Sequence, residues 1–440
     1  MKNKYLCYMD VRVFKFGGAA LANANGIRNV ASILKKQSPG KLVVVVSALG
    51  KITNALEELL DQFIDRDSVL MIETYNRIRN FHLEIARELF PSESHPVYRD
   101  LDALFERLRG HIRKGHLTRG IALEYDFEYD QIVSYGELFS SALVHHFLQG
   151  SGIRNRLFDA RELVMTDTSW TDARVDWAAS RQQIRARLGR YFSSVRKERQ
   201  IGLTQGFIGK APDGSTTTLG REGSDFSAAI FAFCLGCSEL TIWKDVPGVM
   251  NADPKWFRDA KKLETLSYLE AIELAYFGAS VIHPKTIQPL ENANITLQVK
   301  SFLRPKEKGT LVRNIKKWKV PFPIFIRKQN QVLISLSPKD FSFILEANLS
   351  QIFDILARFR AKVNVMQNSA VSFSVCIDSN RHILPDLLKE LKKDYRVRYN
   401  DRLELITIRH YDQKAIDRIG RNHKILLEQK TRNTVHLVKQ

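Results

Sequence analysis

Residues 11–18, VRVFKFGG, and residues 42–46, LVVVV, decide the fold. The first stretch is strand-like and ends at a glycine pair. Between the two stretches, Ile27, Val30 and Leu34 recur at helical spacing. The continuous apolar run at 42–46 is typical of a strand that is buried on both faces. This strand–helix–strand order predicts an α/β fold whose sheet is at least partly parallel, with a right-handed crossover.

The composition is that of an ordinary globular protein. The 440 residues are 44% hydrophobic and 26% charged, which allows a sizeable core and two or three domains. No stretch approaches the roughly 20 apolar residues that span a bilayer, and no apolar run of signal length follows Met1. We therefore expect a cytoplasmic protein without membrane association. Four cysteines do not make a disulfide framework, and Cys234 and Cys237 are expected to pack in the core.

The formal net charge is +19, and most of it lies in residues 304–440. This excess fits either an acidic partner or a solvated basic surface. The basic residues are scattered among apolar strand and helix patterns, which favours the solvated surface. A nucleic-acid binder is also disfavoured, because the segment lacks the aromatic interleaving of RNA-recognition modules.

The pattern along the chain changes after residue 303. Residues 55–150 are helix-rich, and Asn54 with Glu57 has the spacing of a capping pair at a helix start. Strands resume near 200, where residues 212–214 form a turn signal. Residues 304–309 are interpreted as a linker. Beyond it, a βαββαβ order predicts a ferredoxin-like α+β region with a shortened second unit that ends near residue 438.

Three loops at predicted strand ends carry the polar residues expected of a site. Lys15 precedes Gly17 and Gly18, which would let the backbone approach an anion closely. Residues 47–54 place hydroxyl groups and a lysine before a helix start, where anions are favoured. Residues 220–225 set Arg221 beside Asp225, and an arginine fork suits a substrate carboxylate. Each loop is also compatible with ordinary turn chemistry, and no residue is predicted to bind a metal directly.

Taken together, these motifs resemble the aspartokinase family within the wider amino-acid kinase fold. The matching stretches, in order, are residues 15–18 (KFGG), 46–48 (VSA) with 53–54 (TN), 134–137 (SYGE), 218–221 (TLGR) with 223–225 (GSD), 243–248 (WKDVPG), 252–254 (ADP) and 277–284 (FGASVIHP). The resemblance implies a three-layer αβα sandwich at 1–303. It also implies an ACT regulatory region at 316–440, with one complete ACT unit at about 330–400 and a shortened second one.

The family implies an activity: phosphoryl transfer from ATP, with Mg²⁺, to the side-chain carboxylate of L-aspartate. This reaction is the first step of lysine, threonine and methionine biosynthesis. No homoserine dehydrogenase domain follows in this sequence, so a monofunctional member is expected. ACT units imply a homodimer or higher homo-oligomer and a possible amino-acid effector.

The family also implies residue roles. Lys15 would stabilise the phosphoryl group in transfer, and Asp225 would organise the site. Arg221 would hold the substrate α-carboxylate and Glu137 the α-ammonium group. The remaining roles concern the aspartate pocket, lined by Ser47 and Thr53, and the nucleotide, contacted by Lys15, Gly17, Gly18, Lys244, Asp245 and Lys255.

Several positions depart from the family pattern. Residues usually found in the family are replaced by Ala19, Ala20, Glu222, Lys244, Met250, Lys255 and Ser280. Glu222 stands where glycine is usual and adds negative charge beside Arg221. Lys244 stands where threonine is common and Ser280 where lysine is common, so we hypothesise that Lys244 supplies the charge that is missing at residue 280.

The C-terminal region departs as well. Residues 345–348 lack the small, glycine-containing turn at which lysine-sensitive relatives bind effector. Asn364 stands where aspartate is common, and residues 367–370 stand where Thr-Thr-Ser-Glu is common. A lysine effector would lose counter-charges there, so weak or absent lysine inhibition is expected. Two alternatives to an aspartate kinase stay open: a kinase of the same fold acting on another substrate, and a non-catalytic ACT-bearing regulator. The retention of Lys15, Arg221 and Asp225 disfavours the regulator.

Overall fold

A computed structural model describes residues 10–37, 40–117, 124–193, 199–278, 282–316, 320, 322–340, 342–421 and 423–440. The chain divides into two compact units. The first comprises residues 1–249, 262–272 and 281–316, and the second comprises residues 250–261, 273–280 and 317–440. The domain limits inferred from the sequence, 1–303 and 316–440, stay a prediction.

The part of the chain up to residue 316 alternates strands with helices. Its strands are β1 (Arg12–Phe16), β2 (Lys41–Val46), β3 (Arg156–Phe158), β4 (Gln200–Gln205), β5 (Ile208–Lys210), β6 (Thr216–Thr218), β7 (Glu239–Lys244), β8 (Thr265–Ser267), β9 (Thr296–Ser301) and β10 (Thr310–Arg313). Its helices are α1 (Ala24–Gln37), α2 (Ile52–Ile64), α3 (Ser68–Leu89), α4 (Pro96–Leu117), α5 (Tyr125–Val133), α6 (Tyr135–Gly150), α7 (Trp177–Ile184), α8 (Arg190–Ser193), α9 (Gly223–Leu235), α10 (Tyr268–Phe277) and α11 (Pro284–Ala293).

The first unit is built on an eight-stranded sheet in the order β3-β4-β2-β1-β7-β9-β10-β8. β1 pairs in parallel with β2 and β7, and β2 pairs in parallel with β4. One face of the central strands presents Phe14, Phe16 and Val44 to a core shared with α1 to α6. Val43 and Val45, which point to the other face, are also fully buried. The predicted parallel α/β fold is therefore confirmed, and the carboxyl ends of four neighbouring strands share one edge.

The C-terminal part contains β11 (Ile324–Pro338), α12 (Glu346–Arg358), β12 (Val363–Asn368), β13 (Phe373–Asp378), α13 (Leu384–Asp394), β14 (Tyr395–Arg409), α14 (Gln413–Gly420), β15 (Ile425–Lys430) and β16 (Thr434–Lys439). The six strands form one sheet in the order β12-β13-β11-β14-β16-β15, and every neighbouring pair is antiparallel. The order of its first four strands is the one expected of a βαββαβ unit. The α+β ferredoxin-like expectation is therefore confirmed.

Two local expectations are wrong. Asn54 and Glu57 do not cap a helix, because α2 already begins at Ile52 and the residue before it, Lys51, makes no side-chain cap. Residues 304–309 form a loop between β9 and β10 of the same sheet rather than a linker. Propensity and spacing report local preference, and tertiary pairing overrode it in each case. The hairpin turn predicted at residues 212–214 is confirmed, since it joins the short antiparallel strands β5 and β6.

The remaining features of the fold concern the cysteines and the hydrophobicity of the helices. Cys234 and Cys237 are buried, as expected, and each is a free thiol. Burial raises the pKa of both thiols to about 12. Within the described residues, no helix is long and apolar enough to cross a bilayer.

Candidate active site

A cavity of about 500 Å³ opens at the carboxyl-terminal edge of the central strands in the first unit. Its walls come from the ends of β1, β2 and β7, from α2, α5 and α6, and from the turn before α9. Of the predicted site residues, those that line it are Lys15, Ser47, Thr53, Glu137, Arg221, Asp225 and Lys244. Three loops that are far apart in sequence therefore meet in one site, as parallel-strand geometry requires.

Asp225 lies between two lysines at the centre of this cavity. Lys15 Nζ is 2.6 Å from Asp225 Oδ1, and Lys244 Nζ is 3.1 Å from Oδ2. The Asp225 side chain is only 1% exposed. Burial alone would raise the pKa of Asp225, but the charges of Lys15 and Lys244 hold that pKa below its ordinary value. The carboxylate is therefore ionised and fixes two ammonium groups at the strand ends.

The turn before α9 explains how Asp225 reaches this place. Gly220 has a φ of 75°, and Glu222 adopts the left-handed conformation with a φ of 55°. α9 then begins at Gly223, so Asp225 lies in its first turn, where the helix dipole favours an anion. The left-handed conformation costs a residue with a Cβ about 1 kcal/mol. Glycine would not incur this cost. Burial also raises the pKa of the Glu222 carboxyl.

Glu137 is the second buried carboxyl group of the cavity. The Ala48 backbone N–H donates to Glu137 Oε1 at 3.1 Å, whereas Oε2 has no hydrogen-bond partner within the described part of the chain. Burial raises the pKa of Glu137 to about 8. Nearby, Ser47 Oγ donates to Ser224 Oγ at 2.7 Å. An orphaned carboxylate oxygen that lines a cavity is suited to accept from a ligand cation.

Four lining residues were missed by the sequence reasoning: Glu57, Tyr129, Thr171 and Phe207. The Tyr129 hydroxyl donates to Glu57 Oε1 at 2.8 Å, which orients that carboxylate. Glu57 follows Thr53 by one helical turn on α2, so the two share a face of the helix. The i to i+4 spacing of Thr53 and Glu57 is a sequence signal that could have placed Glu57 in the site.

Asp130 was also missed, and it holds the walls of the cavity rather than lining it. Its Oδ1 accepts the Thr171 backbone N–H at 3.1 Å and the Thr218 hydroxyl at 2.5 Å, and its Oδ2 accepts the Thr218 backbone N–H at 2.9 Å. Asp130 is fully buried, and burial raises the pKa of its carboxyl to about 7. It ties α5 to the strand that leads into the Arg221 turn.

The remaining predicted contacts lie outside the lining of this cavity. Gly17 and Gly18 follow β1, and Asp245 follows the neighbouring strand β7, so they lie at the same edge of the sheet. A Cβ on Gly17 would lie 3.2 Å from Lys15 Nζ, and one on Gly18 would lie 2.7 Å from the Gly50 carbonyl oxygen. Gly18 is therefore required by backbone packing, whereas Gly17 keeps the space beside the Lys15 ammonium open.

Several departures from the family pattern have a defined place. Ala19 is exposed and Ala20 is buried in the short 3-10 turn after β1. Met250 and Lys255 belong to the second unit, so the nucleotide contact of Lys255 stays a prediction. Ser280 lies outside the described residues, and the hypothesis that Lys244 replaces a charge at that position also stays open.

A metal held by protein ligands alone is not supported in the described part of the chain. No group of three or more His, Cys, Asp or Glu residues there could hold an ion. Mg²⁺ commonly takes one or two carboxylates and completes its shell with waters and substrate phosphates. A magnesium ion that arrives with a nucleotide would not require such a group.

A sequence model described as the amino acid kinase family matches residues 10–301. Lysine-sensitive aspartokinase 3 of Escherichia coli (strain K12) is 31% identical over 407 residues, which cover 91% of this chain and 87% of that protein. The chain belongs to the aspartokinase family. A bifunctional aspartokinase/homoserine dehydrogenase of Arabidopsis thaliana is 30% identical over 83% of this aspartokinase, which spans 39% of that longer protein.

Solved aspartokinase structures have the same fold. The E. coli aspartokinase III complex with aspartate and ADP, described as the R-state, superposes with a TM-score of 0.79 at 28% identity. The match covers 98% of this aspartokinase and 96% of that chain. A complex of the same E. coli enzyme with lysine and aspartate, described as the T-state, gives the same TM-score. The amino-acid kinase fold and the C-terminal antiparallel region are thus shared along nearly the whole chain.

Proposed function

We propose that this chain transfers the γ-phosphoryl group of ATP to the side-chain carboxylate of L-aspartate, releasing ADP and 4-phospho-L-aspartate. The observation that supports this most is a single cavity in which the Asp225 carboxylate lies between the ammonium groups of Lys15 and Lys244. The same cavity is lined by Arg221 and by Glu137, one of whose carboxyl oxygens has no hydrogen-bond partner in the described part of the chain. This arrangement offers a counter-charge for each ionic group of a small amino dicarboxylate and a phosphate tail.

The amino-acid end of the proposed complex is held by residues of opposite sign. Arg221 pairs with the substrate α-carboxylate through its planar fork. Glu137 accepts from the α-ammonium group through the oxygen that has no partner in the described protein. Ser47 and Thr53 line the space in between and offer hydroxyl groups to the side-chain carboxylate. The free carboxylate oxygen is then directed at the γ-phosphorus.

The phosphoryl end relies on positioning and charge neutralisation, which supply most of the catalysis in reactions of this kind. Lys15 neutralises charge that develops on the transferred group, and Asp225 keeps its ammonium in place at 2.6 Å. Gly17, Gly18 and Asp245 lie beside the phosphates, and Lys255 is assigned to the nucleotide. Mg²⁺, carried by the nucleotide, adds further neutralisation when bound.

Lys244 is assigned to the phosphates as well, and it compensates for Glu222. Both residues depart from the family pattern, and they carry opposite charges. Burial by itself lowers the pKa of Lys244, but the nearby Asp225 and Glu222 carboxylates raise it above its ordinary value. The extra acid and the extra base therefore leave the charge of the site balanced, and a kinase remains the function that the site supports.

The C-terminal unit is proposed to be an ACT regulatory region that mediates homo-oligomer formation and binds any amino-acid effector. Its two long strands, β11 and β14, each run through 15 residues and pair along most of their length. α12 and α13 pack on one half of the sheet and α14 on the other, in two separate cores. Two structural units on one sheet fit a complete ACT unit plus a shortened one.

The decisive assay traps the product. The purified chain is incubated with Mg-ATP, L-aspartate and hydroxylamine, and aspartyl hydroxamate is measured together with ADP. We expect hydroxamate from the wild type and a loss of about a hundredfold in Asp225→Asn, since one charge contact of this kind contributes on the order of 3 kcal/mol. Asp65→Asn, an exposed aspartate after α2, serves as the matched control.

The same assay separates the alternatives. ADP release with glutamate, N-acetylglutamate or a nucleotide, but not with aspartate, would assign a different substrate to the fold. No ADP release with any substrate from a chain that melts cooperatively would favour the non-catalytic regulator.

A further inference from the structure

The first unit contains a second cavity, which is larger than the candidate active site. It has a volume of about 790 Å³ and lies between α7, α9, α11 and the loop at residues 172–175. None of the residues assigned above to catalysis or substrate binding lines it. A volume of this size accommodates a small organic molecule.

The walls of this second cavity combine aromatic rings with an excess of positive charge. Trp177 packs edge-on against Phe226 and Phe233, with ring centroids 6.1 Å and 5.2 Å apart. The charged side chains of the lining are those of Arg174, Arg181, Lys285 and Asp172. Three cations face one carboxylate, so the cavity is complementary to an anion with a planar body.

One of these cations has an unused donor inside the cavity wall. The Arg181 guanidinium lies over the Phe233 ring at 4.8 Å from the ring centroid. Its Nε atom is buried and has no hydrogen-bond partner among the described residues. The Arg181 side chain nevertheless lines the cavity and is partly exposed, so its guanidinium group can donate to a ligand oxygen there.

We propose that this cavity binds a small planar anion, an aromatic ring that carries a carboxylate or a phosphate. The ring lies against Trp177 and Phe233, and the anionic group accepts from Arg181 and Lys285. The inference does not depend on the chemistry of the first cavity, because no residue is shared between the two linings.

The two cavities nevertheless share a wall. Lys285 Nζ forms an ion pair with Asp172, whose side chain leaves no room for a Cβ at Gly220. Gly220 and the neighbour of Asp172, Thr171, both line the candidate active site. An anion that takes Lys285 away from Asp172 therefore frees the segment that supports the Arg221 turn. Occupancy of the second cavity is expected to change the KM for aspartate more than kcat.

The test is titration calorimetry on the full chain with four probes. Indole-3-acetate and phenyl phosphate carry a ring and an anion, indole lacks the anion, and acetate lacks the ring. We expect saturable binding of at least one ring-bearing anion with a Kd near or below about 1 mM, and no binding of indole or acetate at that concentration. Comparing indole-3-acetate with phenyl phosphate decides between carboxylate and phosphate.

Variants localise the binding. Arg181→Met and Lys285→Met should each weaken it about tenfold, as expected for the loss of one charge-assisted contact. Arg190→Met, an exposed arginine at the start of α8, should not change it. Gln288→Phe fills the mouth of the cavity from an exposed position of α11, so it blocks binding even if the arginine variant fails to fold.

Four results would overturn the proposal. One is binding of indole as tight as that of indole-3-acetate, and another is unchanged binding in both Lys285→Met and Gln288→Phe. The third is loss of binding in Asp225→Asn, which would place the probe in the candidate active site. Absence of binding by all four probes at about 10 mM would equally reject the site.

Discussion

The two units of this chain place their charged residues differently. The first unit buries Lys15, Asp130, Glu137 and Asp225, each less than a tenth exposed. The second unit is held by apolar cores on its single sheet, and ion pairs such as Arg358 with Asp354 lie on its surface. Burying an ionised group costs several kcal/mol unless it is paired. The four groups of the first unit lie in or just behind the wall of one cavity, whereas the buried Lys439 of the second unit pairs with Glu404 at 3.6 Å.

The largest expected effect is at the centre of that cavity. Lys15→Met should lower kcat by about a thousandfold, because it removes the charge opposite the transferred group and leaves Asp225 with Lys244 alone. The steady-state rate of ADP release measures this effect. Lys35→Met, an exposed lysine of α1, is the matched control and should keep the wild-type rate. A loss of less than tenfold in Lys15→Met would contradict the proposed role of Lys15 in phosphoryl transfer.

A smaller effect is expected at Asp130, which lies behind the wall of the cavity. Asp130→Ala leaves the donors of Thr171 and Thr218 unsatisfied, which costs about 2 kcal/mol of folding free energy. It also loosens the Arg221 turn, so the KM for aspartate should rise about tenfold, with a smaller change in kcat. Asp130→Asn should recover part of this KM effect, because its amide oxygen still accepts.

The control for Asp130 lies on the same helix. Asp126 is exposed about one turn earlier on α5, and Asp126→Ala should leave the KM unchanged. A lower melting temperature in Asp130→Ala with an unchanged KM would mean that Asp130 supports only the fold.

The pKa of Glu137 sets a pH dependence. Burial raises it from 4.5 to about 8, and the ammonium group of aspartate requires the ionised carboxylate. The KM for aspartate should therefore rise roughly 25-fold as pH falls from about 8.5 to about 6.5, because the ionised fraction of a group with this pKa falls by that factor. In the absence of substrate, the stability of the protein should instead be greater at the lower pH. The folded state binds this proton more tightly than the unfolded state, so the free energy of unfolding decreases as pH rises between 4.5 and about 8.

Measurement of both quantities tests this assignment. Thermal melts across that pH range should show the loss of stability in the wild type and a smaller loss in Glu137→Gln. A KM that does not change with pH would contradict the proposed ammonium contact.

Effects in the second unit should be much smaller. Lysine at about 10 mM is expected to change the rate less than about twofold, a coupling free energy below about 0.5 kcal/mol. The amide of Asn364 already donates to Gln331 and Asp378, and its oxygen accepts from Lys328. This position therefore offers no extra negative charge to a lysine effector. Strong inhibition by lysine in the purified protein would contradict the prediction.

The smallest effect is expected at the surface of this unit. Arg358→Ala removes ion pairs to Asp354 and Glu390, but the arginine side chain is 54% exposed. Water and salt screen such pairs, so the melting temperature, kcat and KM should stay at their wild-type values. A clear loss of activity in this variant would mean that surface charge in the second unit contributes to the reaction.

The sequence by itself determined the parallel sheet around β1 and β2, the ferredoxin-like pattern of the C-terminal part, and the strand-end loops with Lys15, Arg221 and Asp225. Periodicity and turn residues report local burial and backbone preference, so such features can be predicted from the sequence. Only the tertiary structure decided that Lys244 pairs with Asp225, that Glu57 and Tyr129 line the cavity, and that Asp130 holds its walls. The reason is the strand order β4-β2-β1-β7, which brings Lys15 and Lys244, 229 positions apart in sequence, to the same carboxylate. Such non-local pairing depends on how the whole core packs, and no local spacing encodes it.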